Sequence, residues 1–161
     1  MDFLWSPWRA SYVEGLPPET GCVFCRLAAD LAGETDEARY VLHRGKGSFV
    51  VLNLYPYTSG HLLIAPYAHL ALIAEAEKPV TDELMDLAKT AQRAIEAEYR
   101  PDGFNLGMNL GQAAGAGVAD HFHLHVLPRW IGDTNFATTV GETRVLPESL
   151  SDTYRKLKRH F

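Results

Sequence analysis

At 161 residues, 47% hydrophobic and 22% charged, the chain has the make-up of one globular domain long enough to bury a core. A formal net charge of -5 excludes general attraction to nucleic acid or an anionic membrane, so a phosphate-bearing ligand would need local groups to hold it. There is no apolar run of about 18 residues, no basic start with a long apolar stretch, and only two cysteines, which together predict a cytoplasmic protein without membrane span, secretory signal or disulfide scaffold.

Residues 1–20 are rich in Trp, Pro and Gly and read as an irregular N-terminal arm. Its Trp5, Trp8 and Tyr12 need burial, on their own domain or on a partner subunit. Cys22-Val23-Phe24-Cys25 follows. A redox role for this C-x-x-C pair would want a β-α-β context, which is absent. Zinc would want two further ligands, and a pair of metal-free thiols is the remaining alternative. Residues 26–39 predict a short helix and a polar turn. Residues 40–43 and 48–52 predict two strands joined by a turn at Arg44-Gly45-Lys46-Gly47. Asn53 ends the second strand, residues 56–60 form a loop, and residues 61–65 make a third strand stopped by Pro66. Residues 68–77 carry apolar side chains at helical spacing. Thr81, ahead of Asp82 and Glu83, predicts the N-cap of a further helix reaching Tyr99, with Leu84, Leu87, Ala88, Ala91 and Ile95 as its core stripe.

Residues 104–110 alternate in polarity and predict a fourth strand. The Gly-rich segment 111–117 then offers backbone N–H groups that could approach a phosphate, although no Gly-Lys-Ser/Thr follows and a plain connection is the alternative. It leads into Asp120-His121-Phe122-His123-Leu124-His125-Val126-Leu127-Pro128-Arg129. Alternation at the strand period puts His121, His123 and His125 on one face, roughly 7 Å apart, and Phe122, Leu124 and Val126 on the core-facing other. Imidazole titrates near neutrality, so such a row can supply a nucleophile, a proton donor or a metal ligand. A His-rich surface strand or an adventitious metal site would look the same. Residues 147–161 predict a C-terminal helix with Leu150, Tyr154, Leu157 and Phe161 on one side and a basic end. About five strands and three helices without β-α-β alternation predict one α+β domain over residues 1–161, a mainly antiparallel sheet with flanking helices.

His-Phe-His-Leu-His-Val-Leu at 121–127 resembles the signature of the histidine triad family of nucleotide hydrolases and transferases, and residues 51–66 resemble its other recurrent block. Trp5-Ser6-Pro7-Trp8-Arg9 and residues 128–136 resemble a bacterial branch that includes diadenosine tetraphosphate hydrolases and phosphorylases. The likeness spans most of the chain, residues 5–136.

It implies the histidine triad fold, a homodimer pairing two sheets edge to edge, and a nucleotide substrate. The implied reaction breaks the α-phosphate bond of a dinucleoside polyphosphate through a nucleotidyl-histidine, with water or inorganic phosphate as acceptor. Residue by residue it implies His123 as nucleophile, oriented by a backbone carbonyl. His125 would hold phosphate oxygens, His61 would brace the site, and His121 would brace the strand or bind zinc. Asn53 would contact ribose and Asn109 phosphate, Gly115 and Gly117 would offer amides to the phosphoryl oxygens, and Leu52, Val51 and Leu63 would line the base pocket. Relatives with the Cys pair bind zinc, which implies Cys22, Cys25, His69 and His121 as ligands; no organic cofactor is implied. Two features depart from the family pattern: residues 117–120 offer no Ser or Thr hydroxyl ahead of the triad, and the Gly-rich loop is one residue longer than common. A nucleotide-binding signalling module with incidental slow hydrolysis, and a zinc-stabilised interaction domain, are the alternatives in other functional classes.

Overall fold

A computed structural model describes residues 21–29, 35–141 and 146–161; the N-terminal arm with Trp5, Trp8 and Tyr12 lies outside the described residues. Strands β1 (Val41–Arg44), β2 (Ser48–Leu52), β3 (Leu62–Pro66), β4 (Gly103–Gly107) and β5 (Leu124–Arg129) form one antiparallel sheet in the order β1-β2-β3-β5-β4. Helix α1 (Val23–Ala28) lies against one face. Helices α2 (Lys78–Tyr99) and α4 (Leu150–Lys158) lie on the other side, and a four-residue helix α3 (Phe136–Thr139) follows β5.

The central strands β2 and β3 are buried at every position, which is why they read as continuous apolar runs. Their side chains divide between two clusters. Val50, Leu52, Leu62, Ile64, Leu124 and Val126 pack with Leu84, Ala91 and Ile95 of α2 and with Tyr154 and Leu157 of α4. Phe49, Val51, Leu63 and Ala65 face the other way and pack with Phe24 of α1. The histidines share that second face, because Leu63 of β3 is directly paired with His125 of β5. The expected alternation therefore holds, but the histidine face is itself buried rather than open: His121 is 0%, His123 6% and His125 8% exposed.

Local chemistry sets the element bounds. Helix α2 begins at Lys78, three residues before the expected N-cap, because Pro79 in the first turn has its φ preset and needs no donor there. Thr81 instead bonds back to the Lys78 carbonyl. The apolar spacing over 68–77 yields only a 3₁₀ turn at Ile73–Glu75, whose Glu75 carboxylate takes the Ala71 and Leu72 N–H groups, each at 3.0 Å. Strand β4 stops at Gly107 rather than residue 110. Strand β5 starts only at Leu124: the Phe122 N–H goes to the Leu70 carbonyl at 2.7 Å, outside the ladder, so residues 121–123 form a lead-in ahead of the strand. The β1–β2 turn is pinned to α2 by Glu83, whose carboxylate accepts from Lys46 N and Gly47 N, both at 2.7 Å. A Cβ at Gly45 would stand 2.7 Å from that carboxylate, which explains glycine there.

Candidate active site

The lead-in to β5 fixes the first two histidines. His123 Nδ1 lies 3.0 Å from the main-chain oxygen of His121. A carbonyl only accepts, so Nδ1 carries the proton and Nε2 keeps its lone pair. Burial lowers the His123 pKa from the ordinary histidine range, so the ring is neutral near pH 7.

A second chain of bonds fixes His125. His61 lies just before β3, and its Nδ1 receives the Tyr57 N–H at 3.1 Å and the Asn53 side-chain amide at 3.2 Å. Two donors on Nδ1 put the His61 proton on Nε2, which reaches His125 Nδ1 at 2.9 Å. His125 must then carry its own proton on Nε2, and that buried atom has no hydrogen-bond partner. Burial, then the neighbouring rings of His125 and His123, pushes His61 down to about 3; burial, then His123, pushes His125 down to about 4. Neutral imidazoles are what this chain of single donors and acceptors requires. The site thus offers a bare nitrogen on His123 and an N–H donor on His125, with ring centroids 4.9 Å apart.

Both rings line a cavity of about 680 Å³. Every residue the sequence pointed to for substrate lines it too: Asn53, Asn109, Gly115, Gly117, Leu52, Val51 and Leu63. Gly115 has φ +83, a conformation that needs glycine, and closes the 3₁₀ turn Gln112–Ala114 through its N–H to Gln112 O at 2.9 Å. That bond engages the Gly115 amide within the loop itself. His61 and His121 do not line the cavity and are fully buried. Two aromatic residues at the site carried no assignment from sequence. Phe24 packs on His123 with centroids 4.6 Å apart, and Tyr57 stacks on His125 at 6.0 Å with rings 10° from parallel. Arg26 and Arg39 bring cations to the same cavity, and Arg39 Nη1 is held by the Ala29 carbonyl at 2.8 Å.

His121 belongs to a second cluster. Donor atoms of Cys22, Cys25, His69 and His121 all lie within 4.8 Å of one another. Cys22 Sγ is 3.3 Å and Cys25 Sγ 3.6 Å from His121 Nδ1, and Cys25 Sγ is 3.2 Å from His69 Nδ1. Tetrahedral zinc bonds to sulfur and nitrogen give S···N edges of about 3.6 Å, so this donor set fits the ion. The outer contacts fit as well. His121 Nε2 donates to the Pro66 carbonyl at 2.9 Å, leaving Nδ1 free to ligate, and His69 Nε2 faces Asp120 at 3.6 Å. Burial first, then the Cys22 thiol and the Asp120 carboxylate, pushes the Cys25 thiol up, a shift that a coordinated divalent cation would reverse.

The family model described as HIT domain matches residues 34–130. The chain is 40% identical over 158 residues, covering 96% of itself and 81% of the relative, to a Mycobacterium tuberculosis protein named AP-4-A phosphorylase. It is 28% identical to Protein hit of Bacillus subtilis, over 68% of this chain and 71% of that one. Among solved structures, a Zn-bound histidine triad family protein from Mycobacterium smegmatis superposes with a TM-score of 0.68 at 26% identity, covering 86% of this chain and 91% of the other. Plasmodium falciparum diadenosine triphosphate hydrolase shares the fold at a TM-score of 0.61 and 20% identity, over 76% and 74% of the two chains.

Proposed function

The chain belongs to the HIT domain family, and from that premise we propose that it cleaves dinucleoside polyphosphates, diadenosine tetraphosphate foremost, through a nucleotide carried on His123. The observation that carries this reading is the His123 Nδ1 bond to the His121 carbonyl, which leaves Nε2 as a neutral nucleophile at the cavity wall. In the first step Nε2 attacks the α-phosphorus, an N–P bond forms, and the P–O bond to the polyphosphate breaks. A terminal phosphate of the leaving nucleotide departs as an anion and needs no proton. His125 Nε2–H serves as a fixed donor to the phosphoryl oxygens while charge develops on them. In the second step an acceptor oxygen attacks phosphorus, the N–P bond breaks, and the electron pair returns to Nε2.

Asn53 suits the ribose hydroxyls, Asn109 and the Gly117 amide the phosphate, and Leu52, Val51 and Leu63 the flat face of the base. The relative named AP-4-A phosphorylase supports inorganic phosphate as the acceptor. Cys22, Cys25, His69 and His121 would hold a structural zinc. Four protein ligands leave that ion no open position, so what it supplies is folding free energy. Strand β4 ends the sheet with only β5 beside it, and an edge of this kind supports a homodimer joined through β4. The free thiols suit a reducing cytoplasm.

Product analysis tests the reaction. Incubation with diadenosine tetraphosphate and phosphate should give ADP plus ATP, with turnover dependent on phosphate. AMP plus ATP without phosphate would make it a hydrolase, and nucleotide binding with no turnover would make it a binding module.

A further inference from the structure

Helix α1 has no function in the chemistry just described, yet it touches both histidine clusters. It is six residues long, too short to hold itself, and carries Cys25 inside it with Cys22 at its N-cap. Phe24 stands between the two thiols and is almost wholly buried. Its ring packs on His123 at 4.6 Å and on His121 at 5.2 Å between centroids. The His123 ring is also held through Nδ1 by the His121 carbonyl at 3.0 Å, and His121 is itself a member of the Cys/His cluster. Of the contacts on the His123 ring, the His121 carbonyl and the Phe24 ring thus come from a cluster member and from a residue between two of them in sequence, while the His125 ring does not.

We propose that α1 is a positioning device for His123: Phe24 is a positioning residue, and metal at Cys22, Cys25, His69 and His121 locks Phe24 and the His121 carbonyl against the reacting ring. The inference rests on His123 being the nucleophile. A ring free to rotate away from the His121 carbonyl can exchange its tautomer and present N–H where the lone pair is needed. Misplacement by about 1 Å is enough to cost about 10²-fold in rate. Phe24 also lines the nucleotide cavity, so a mere wall would act through substrate affinity, whereas a positioning residue acts on the chemical step.

The experiment uses full-length protein in four forms: zinc-loaded wild type, chelated wild type, and zinc-loaded Phe24→Leu and Phe24→Ala. Long-range ¹H–¹⁵N spectra of the imidazoles report which nitrogen of His123 holds the proton, with no substrate present. Loaded wild type should show a single Nδ1–H form. Chelated wild type and Phe24→Ala should show averaged nitrogens, with Phe24→Leu between. In steady-state assays Phe24→Ala should lose about 10²-fold in kcat, while its affinity for AMP stays close to wild type. An unchanged Nδ1–H signature in both chelated wild type and Phe24→Ala, or a loss confined to KM, would overturn the proposal. If Phe24→Ala does not fold, Phe24→Leu and the chelated protein decide it. The spectra separate this inference from the nucleophile assignment, which fails if the nucleotide is found on another residue or if His123→Ala keeps full activity.

Discussion

His125 shows how a residue's role follows from partners it does not choose. Tyr57 and Asn53 place two donors on His61, His61 donates to His125, and His125 is left with an N–H and no acceptor. Replacing His125 by Ala should lower kcat by about 10²–10³-fold, the worth of one preorganised donor to a developing phosphoryl charge. Retention of full turnover in single-turnover assays would remove it from the chemistry. The same burial makes stability depend on pH. In the folded protein His61 and His125 titrate at about 3 and about 4, below the ordinary value of 6.5, so the unfolded chain binds more protons in that window. Their contribution is whole above about pH 6.5 and is lost as pH falls, by about 1.4 kcal/mol per pH unit for each ring. Urea unfolding of chelated protein, where metal release adds nothing, should show this decline, and a flat profile would contradict the neutral-ring arrangement. The histidines were legible in sequence because alternation announces a shared face. Phe24 and Tyr57 were not, since one aromatic residue in a short helix or loop has no period, and its contacts arise only when distant segments close.

Elements were legible to different degrees for physical reasons. The hairpin β1–β2, the stop of β3 at Pro66 and the stripe of α2 carry turn residues or strong periodicity and fold as expected. Residues 68–77 do not, because Glu75 captures the N–H groups of Ala71 and Leu72 in a local turn. The histidine strand begins late because Leu70 takes the Phe122 N–H from the ladder. Helix α1 starts inside the C-x-x-C rather than after it, which turns an ambiguous motif into a knuckle facing His69 and His121. At this scale the prediction concerns metal. Chelation should lower the melting temperature of the wild type and leave that of Cys22→Ala, already lowered, unmoved. Equal melting curves for wild type before and after chelation, with no metal found by elemental analysis, would remove zinc from the account.

The sheet of the whole molecule has two unlike edges. At β1, the Tyr154 hydroxyl and the Lys158 ammonium of α4 reach the Val41 and Leu42 carbonyls at 3.4 and 2.6 Å. Strand β4 has no such cover among the described residues, and Leu106 on it is half-exposed. Light scattering at micromolar protein should therefore give twice the 17.9 kDa chain mass, and a monomer mass would contradict edge pairing. The arm over residues 1–20, with its tryptophans, lies outside the described residues. Antiparallel order was legible from the absence of β-α-β alternation. The exchange of β4 and β5 in the sheet was not, because the loop 111–117 constrains length but not side.

The central claim is that this molecule carries a nucleotide on His123 during turnover. Rapid quenching of the enzyme under alkaline conditions while it consumes diadenosine tetraphosphate, followed by peptide mass spectrometry, tests it directly. The predicted result is an acid-labile adenylyl group on the peptide containing His123, absent from a folded, nucleotide-binding His123→Ala protein that has lost roughly 10⁴-fold or more in kcat. An adenylyl group on any other residue, or full activity in His123→Ala, would contradict the account.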